Sequence, residues 1–140
     1  MKKRLLEDYL ERSEKRVKAL HFFEELNDFP DVIREAQETV ELLLKALLLS
    51  VGVDILKIHD VGKYIAQYGD LFSEGILDNL PEIQKISREL RKDRELAFYG
   101  MDDWIPLNEY TREDASQAIG WVEFILQLVK KEIAGSEKEN

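Results

Sequence analysis

Leu42-Leu43-Leu44-Lys45-Ala46-Leu47-Leu48-Leu49 is the stretch that decides the fold. Only Lys45 interrupts it, so a helix built from it has almost no polar face and must be packed on several sides. It does not read as a membrane span. The longest uninterrupted apolar run, Ala46–Leu49, is far short of the roughly 18–20 residues a spanning helix needs. Upstream, Ile33, Ala36, Val40, Leu43 and Leu47 recur at helical spacing on one face. Pro30 suits the first turn of this helix and Gly52 its end. The reading is a central helix over about 30–50, surrounded by others.

The neighbours follow the same punctuation. Leu6, Leu10, Ser13, Val17 and Leu20 make one face of a first helix over about 5–26, with His21 expected as a satisfied core histidine. A short third helix begins after His59-Asp60, carries Val61, Tyr64, Ile65 and Tyr68 on one side, and stops at Gly69. A fourth runs over about 79–99 with Pro81 in its first turn and Gly100 as its stop. Trp104 and Pro106 are expected to fold the following loop back onto the bundle. Thr111-Arg-Glu-Asp114 reads as a capping box that opens a fifth helix, whose stripe is Ala115, Ala118, Val122, Ile125, Val129 and Ile133. No strand-period segment of convincing length and no internal repeat is present. The expectation is an all-α bundle of about five helices in one domain, residues 1–134, with a flexible polar tail at 135–140.

Composition narrows the function. The chain has 140 residues, 44% apolar and 35% charged, which suits one compact domain and excludes a disordered one. It has no cysteine, which removes disulfide scaffolds, thiolate metal sites and cysteine nucleophiles together. Two histidines far apart, His21 and His59, make a poor metal set, and Asp93, Asp102 and Asp103 are too thin a basis for another. No glycine-rich phosphate loop and no serine nucleophile motif appears. No cofactor is called for. The charged N-terminus is unlike a signal peptide, so a soluble cytoplasmic protein without membrane association is the reading.

The net charge of −9 argues against indiscriminate nucleic-acid binding, but the charge is uneven. Residues 1–20 carry seven basic against four acidic side chains, and residues 85–94 carry five against two. In the second segment Ile83, Ile86, Leu90 and Ala97 define the core stripe of the fourth helix at about 100° per residue. Arg94 falls inside that stripe. Arg88 and Arg91 lie to one side of it, Lys85 and Lys92 opposite. A desolvated, unpaired arginine costs several kcal/mol, so Arg94 must snorkel, pair with a carboxylate, or face an anion. No carboxylate is expected on the opposing stripes of the second and fifth helices, which favours the anion. A guanidinium fork matches phosphate oxygens. Tyr99, at the end of the same helix, is either a packing residue or a stacking and hydrogen-bonding partner for a nucleotide.

Three pieces together resemble a known family. Glu38-Thr-Val-Glu41-Leu-Leu-Leu-Lys45-Ala46-Leu47-Leu48 is similar to the Glu-x-x-x-Lys-Ala-Leu core helix of HEPN domains, Ile58-His59-Asp60-Val61 to the His-Asp-Leu that opens their third helix, and Arg94-Glu-Leu-Ala-Phe-Tyr99-Gly100 sits where they carry an Arg-x4–6-His motif. The resemblance spans about residues 9–133. It implies a homodimer whose motifs meet in a shared cleft, RNA or nucleotide as ligand, and a toxin-like or accessory role beside a minimal nucleotidyltransferase. It makes Arg94 the phosphate-binding arginine, flanked by Arg88 and Arg91, and puts Tyr99 at the histidine position. Two alternatives stand beside this reading. One is a metal-independent endoribonuclease using Arg94 and Tyr99, although a phenol with a pKa near 10 is a poor base at neutral pH. The other is a non-catalytic helical interaction module. His59 is expected to cap or pack at its helix opening.

Overall fold

A computed structural model describes residues 2–56 and 58–139, the side chains of 2 and 137–139 excepted. In chain order the helices are α1 (Lys2–Glu25), α2 (Phe29–Ser50), α3 (Val61–Gln67), α4 (Glu74–Leu77), α5 (Leu80–Tyr99), α6 (Pro106–Glu109) and α7 (Arg112–Glu139), with a 3-10 turn at Gly69–Leu71. Among the described residues there is no strand, only one isolated bridge between Met101 and Trp104. The five expected helices are α1, α2, α3, α5 and α7. The short α4 and α6 are additions, each a single turn of four residues, too brief to leave a periodic stripe. α7 continues past Gly135 to Glu139, and Asn140 lies outside the described residues.

α2 is the centre, and its neighbours explain its composition. It packs against α1, α7, α5 and α3. Leu43, Leu44, Ala46, Leu47 and Leu48 are sealed from solvent, each leucine burial contributing about 1.5–3 kcal/mol. Lys45 remains half-buried and reaches Glu41, one turn back, at 3.4 Å. α1 is fastened to α2 by Arg16, which donates to Glu35 at 2.7 Å and to Glu38 at 3.2 Å. Ser13 is fully buried because its hydroxyl donates to the carbonyl of Tyr9 at 2.7 Å, leaving no unmet polar atom on the stripe.

The helix ends are set by local chemistry. Asn27 takes φ +60° to close α1, and Asp28 caps α2 by accepting from the amide of Asp31 at 3.3 Å. The capping box forms as expected: the Thr111 hydroxyl accepts from the Asp114 amide at 3.2 Å, and the Asp114 carboxylate accepts from the Thr111 amide at 2.9 Å. Gly100 ends α5 with φ +68°, and a Cβ there would lie 2.5 Å from Pro106 Cδ and 2.8 Å from the Trp104 carbonyl oxygen. The loop beyond it does fold back, with Trp104 packed against the core and edge-on to Tyr110 at 5.2 Å.

His21 corrects the first expectation. It is 51% exposed and bonds Glu123 of α7 at 3.1 Å, so it clips two helices at the surface instead of filling the core. Its position at the edge of the α1 stripe places it beyond the line where α2 covers the helix.

Candidate functional site

The site grows from the way α3 meets α5. Ile58 anchors the chain in the core, and Val61 and Ile65 bury the inner face of α3. Gly62 lets the helix come close: a Cβ there would meet Ser87 Oγ of α5 at 3.2 Å. Asp60 caps α3 by accepting from the Lys63 amide at 3.4 Å, and the same carboxylate oxygen lies 3.3 Å from Arg91 Nη1. Capping therefore falls to Asp60, and the expectation that His59 caps or packs is corrected. His59 is exposed and makes no hydrogen bond or ion pair among the described residues.

Between the two helices runs a groove of about 500 Å³ lined by Asp60, Gly62, Lys63, Ala66, Gln84, Ser87, Arg88, Arg91 and Lys92. Four cationic side chains face one carboxylate. Asp60 meets only Arg91; Lys63, Arg88 and Lys92 have no ion-pair partner among the described residues. Lys92 lines the groove with Arg88, one turn along the same exposed face of α5.

Adjoining the groove is a polar cavity of about 40 Å³, room for one or two water molecules. Its lining includes Gln37 and Glu41 from α2, His59, and Ser87, Leu90, Arg91 and Arg94 from α5. Ser87 and Arg91 line both spaces, so the two adjoin. Gln37 is buried, and its Oε1 has no hydrogen-bond partner among the described residues, so the site contains an acceptor open to a hydroxyl or N–H donor.

Arg94 is where helical spacing misled. It stands between Leu90 and Ala97, both 2% exposed, yet its own side chain is exposed and unpaired among the described residues. It snorkels out of the core stripe over the edge of α2. The absence of an opposing carboxylate is also corrected, because Glu41 lines the same cavity; Glu41 is engaged with Lys45.

Arg88, Arg91 and Arg94 thus line two adjoining spaces, with Arg91 in both. Tyr99 does not join them. Five residues on from Arg94, it is turned about 140° around the helix, is 78% exposed and packs edge-on against Phe98 at 4.6 Å. Phe98 in turn carries the Arg34 guanidinium over its ring at 3.7 Å. Sequence reading missed Lys63, Gln37 and Asp60. The signal for them was Gly62, a helical glycine that permits the close approach of α3 and α5.

Comparison with known proteins agrees with this architecture. The HEPN domain model matches residues 6–133. The chain belongs to the HEPN domain family. It is similar to the Methanocaldococcus jannaschii protein named "Putative toxin MJ1304", 27% identical over 128 residues, covering 87% of this chain and 84% of that protein. No solved structure matches it. Among the described residues no helix is long and apolar enough to cross a membrane, and no group of three or more His, Asp or Glu is placed to hold a metal ion.

Proposed function

We propose that this chain is a toxin-like HEPN protein that binds RNA or a nucleotide through phosphate, in the groove between α3 and α5, and acts as a homodimer beside a minimal nucleotidyltransferase. The observation that carries the binding reading is the charge of the groove. Four cationic side chains share about 500 Å³ on a protein of net charge −9. Guanidinium and ammonium groups that outnumber their one counter-charge, Asp60, are a phosphate's natural partners. Among the described residues no aromatic side chain lines the groove, so bases have nothing to stack on there and recognition of the sugar–phosphate chain is tolerant of sequence. The name of the archaeal relative supports the toxin-like part. The dimer and the nucleotidyltransferase partner rest on the family resemblance.

A second reading, metal-independent endoribonuclease, has an observation of its own: His59 lines the same cavity as Arg94. Imidazole exchanges protons in the physiological range. In such a step the 2′-hydroxyl gives its proton to His59, the 2′-oxygen–phosphorus bond forms as the bond to the 5′-oxygen breaks, and the 5′-oxygen is protonated by water. Arg94 holds the phosphate. His59, and not Tyr99, is the proton-transfer group that geometry favours.

The test is incubation of the full chain, Arg94→Ala and His59→Ala with mixed tRNA and structured RNA in chelator, read on a gel. Cleavage by wild type that is lost in both variants establishes the endoribonuclease. Binding without cleavage leaves the accessory or toxin-like binding role. Neither binding nor cleavage, with a less stable dimer in Arg94→Ala, would point to the purely interacting module.

A further inference from the structure

The opposite character appears on the other side of α5. Where α5, α6 and α7 converge, a concavity of about 260 Å³ is walled by Trp104, Tyr110 and Trp121, with Glu89, Asp93 and Glu109 at its edges. Among the described residues no lysine, arginine or histidine lines it. Trp104 and Tyr110 stand perpendicular, with an interplanar angle of 89°. Trp121 adds a third aromatic surface from α7.

The carboxylates here differ from the glutamates of α2. Glu35, Glu38 and Glu41 all have basic partners on α1 or α2. Glu89 and Glu109 have none among the described residues. Burial pushes the Asp93 carboxyl above its ordinary value, and Glu89 and Asp114 add to that push, while the neighbouring Lys92 opposes it. Burial, then Asp93 and Asp114, likewise raises the Tyr110 phenol. Both shifts arise first from burial, with neighbouring carboxylates adding to them. Asp114 is committed to the capping box, which leaves the other three carboxylates for a ligand.

We propose that this aromatic concavity is a second binding site, specific for an organic cation with an apolar stem, an alkylguanidinium or alkylammonium group. Such a cation gains from the ring faces, each cation–π contact contributing about 0.5–2 kcal/mol, and from carboxylates in a partly desolvated setting. An inorganic cation gains little from three rings. The same group can arrive on a free small molecule or on the side chain of a protein partner.

Trp104 and Trp121 are the only two tryptophans in the chain, so tryptophan emission, excited at the red edge where tyrosine does not absorb, reports on this site. The full chain is titrated with agmatine and with N-acetyl-arginine amide, against sodium chloride at matched ionic strength. A saturable fluorescence change with either guanidinium, absent with sodium chloride and weakened roughly fivefold to tenfold in Glu89→Gln and Asp93→Asn, is the expected result. Tighter binding of agmatine identifies a free cation as the occupant, and tighter binding of the capped arginine identifies a partner side chain. Thermal melting checks each variant. If the two α5 variants melt early, Glu109→Gln on the exposed α6 takes their place. A linear response matching sodium chloride, or saturation unchanged in folded variants, overturns the proposal.

Discussion

Arg91 reaches from α5 to the carboxylate that caps α3, its Nη1 lying 3.3 Å from Asp60 Oδ1. One oxygen therefore serves the Lys63 amide and the guanidinium together. Both side chains are about half exposed, at 43% and 57%, so the pair itself contributes no more than ~1 kcal/mol. Its consequence is in the groove, where Asp60 competes with any anion for Arg91. Asp60→Asn keeps an oxygen for the cap and removes the competing charge. Stability is expected to fall by less than ~1 kcal/mol, while sulfate binds more tightly than to wild type by calorimetry. Weaker sulfate binding in a folded Asp60→Asn protein would remove Arg91 from the anion site.

Gly100→Ala is expected to destabilise the chain by at least ~1 kcal/mol, read as a lower melting temperature. The φ of +68° disfavours any side chain, and the new Cβ collides with Pro106 and the Trp104 carbonyl. Gly52 also has positive φ, at +84°, but its surroundings are open, so Gly52→Ala is expected to cost less.

In the central helix, Leu44→Ala is expected to cost ~2–5 kcal/mol, because Leu44 is wholly buried between packed helices. Leu42→Ala, at a half-buried position of the same run, is expected to cost clearly less. Equal denaturation midpoints would mean that α2 is not enclosed on several sides.

Asp31 gives a pH signature. Its hydrogen bond with Asp28, then burial, then the Asp28 charge raise its pKa from 3.8 to about 6. A carboxyl that holds its proton more tightly when folded stabilises the fold while protonated, and that stability fades as pH rises from about 4 to about 6. Asp31→Asn is expected to flatten this decline. Parallel melting curves for wild type and Asp31→Asn across that window would assign the slope elsewhere.

The fold was legible because its signals were local. The all-round apolar character of Leu42–Leu49 announced a central helix, and the Thr111–Asp114 box closed as its spacing required. The site was legible only in part. A helical wheel finds Arg94 on the core stripe but cannot say where α2 stops covering α5, and the side chain escapes at that edge. The same limit placed His21 inside when it clips α1 to α7 at the surface. The groove itself depends on the close packing of α3 on α5 at Gly62 and Ser87, a tertiary contact with no periodicity to betray it.

The most direct test is a titration of a fluorescent single-stranded oligoribonucleotide in chelator, at several salt concentrations, with wild type and the Arg91→Ala/Arg94→Ala double variant. Saturable binding that weakens steadily with salt, and roughly tenfold or more weaker binding by the folded double variant, is the predicted result. Binding unaffected by both salt and the two arginines would contradict the phosphate groove as the functional site.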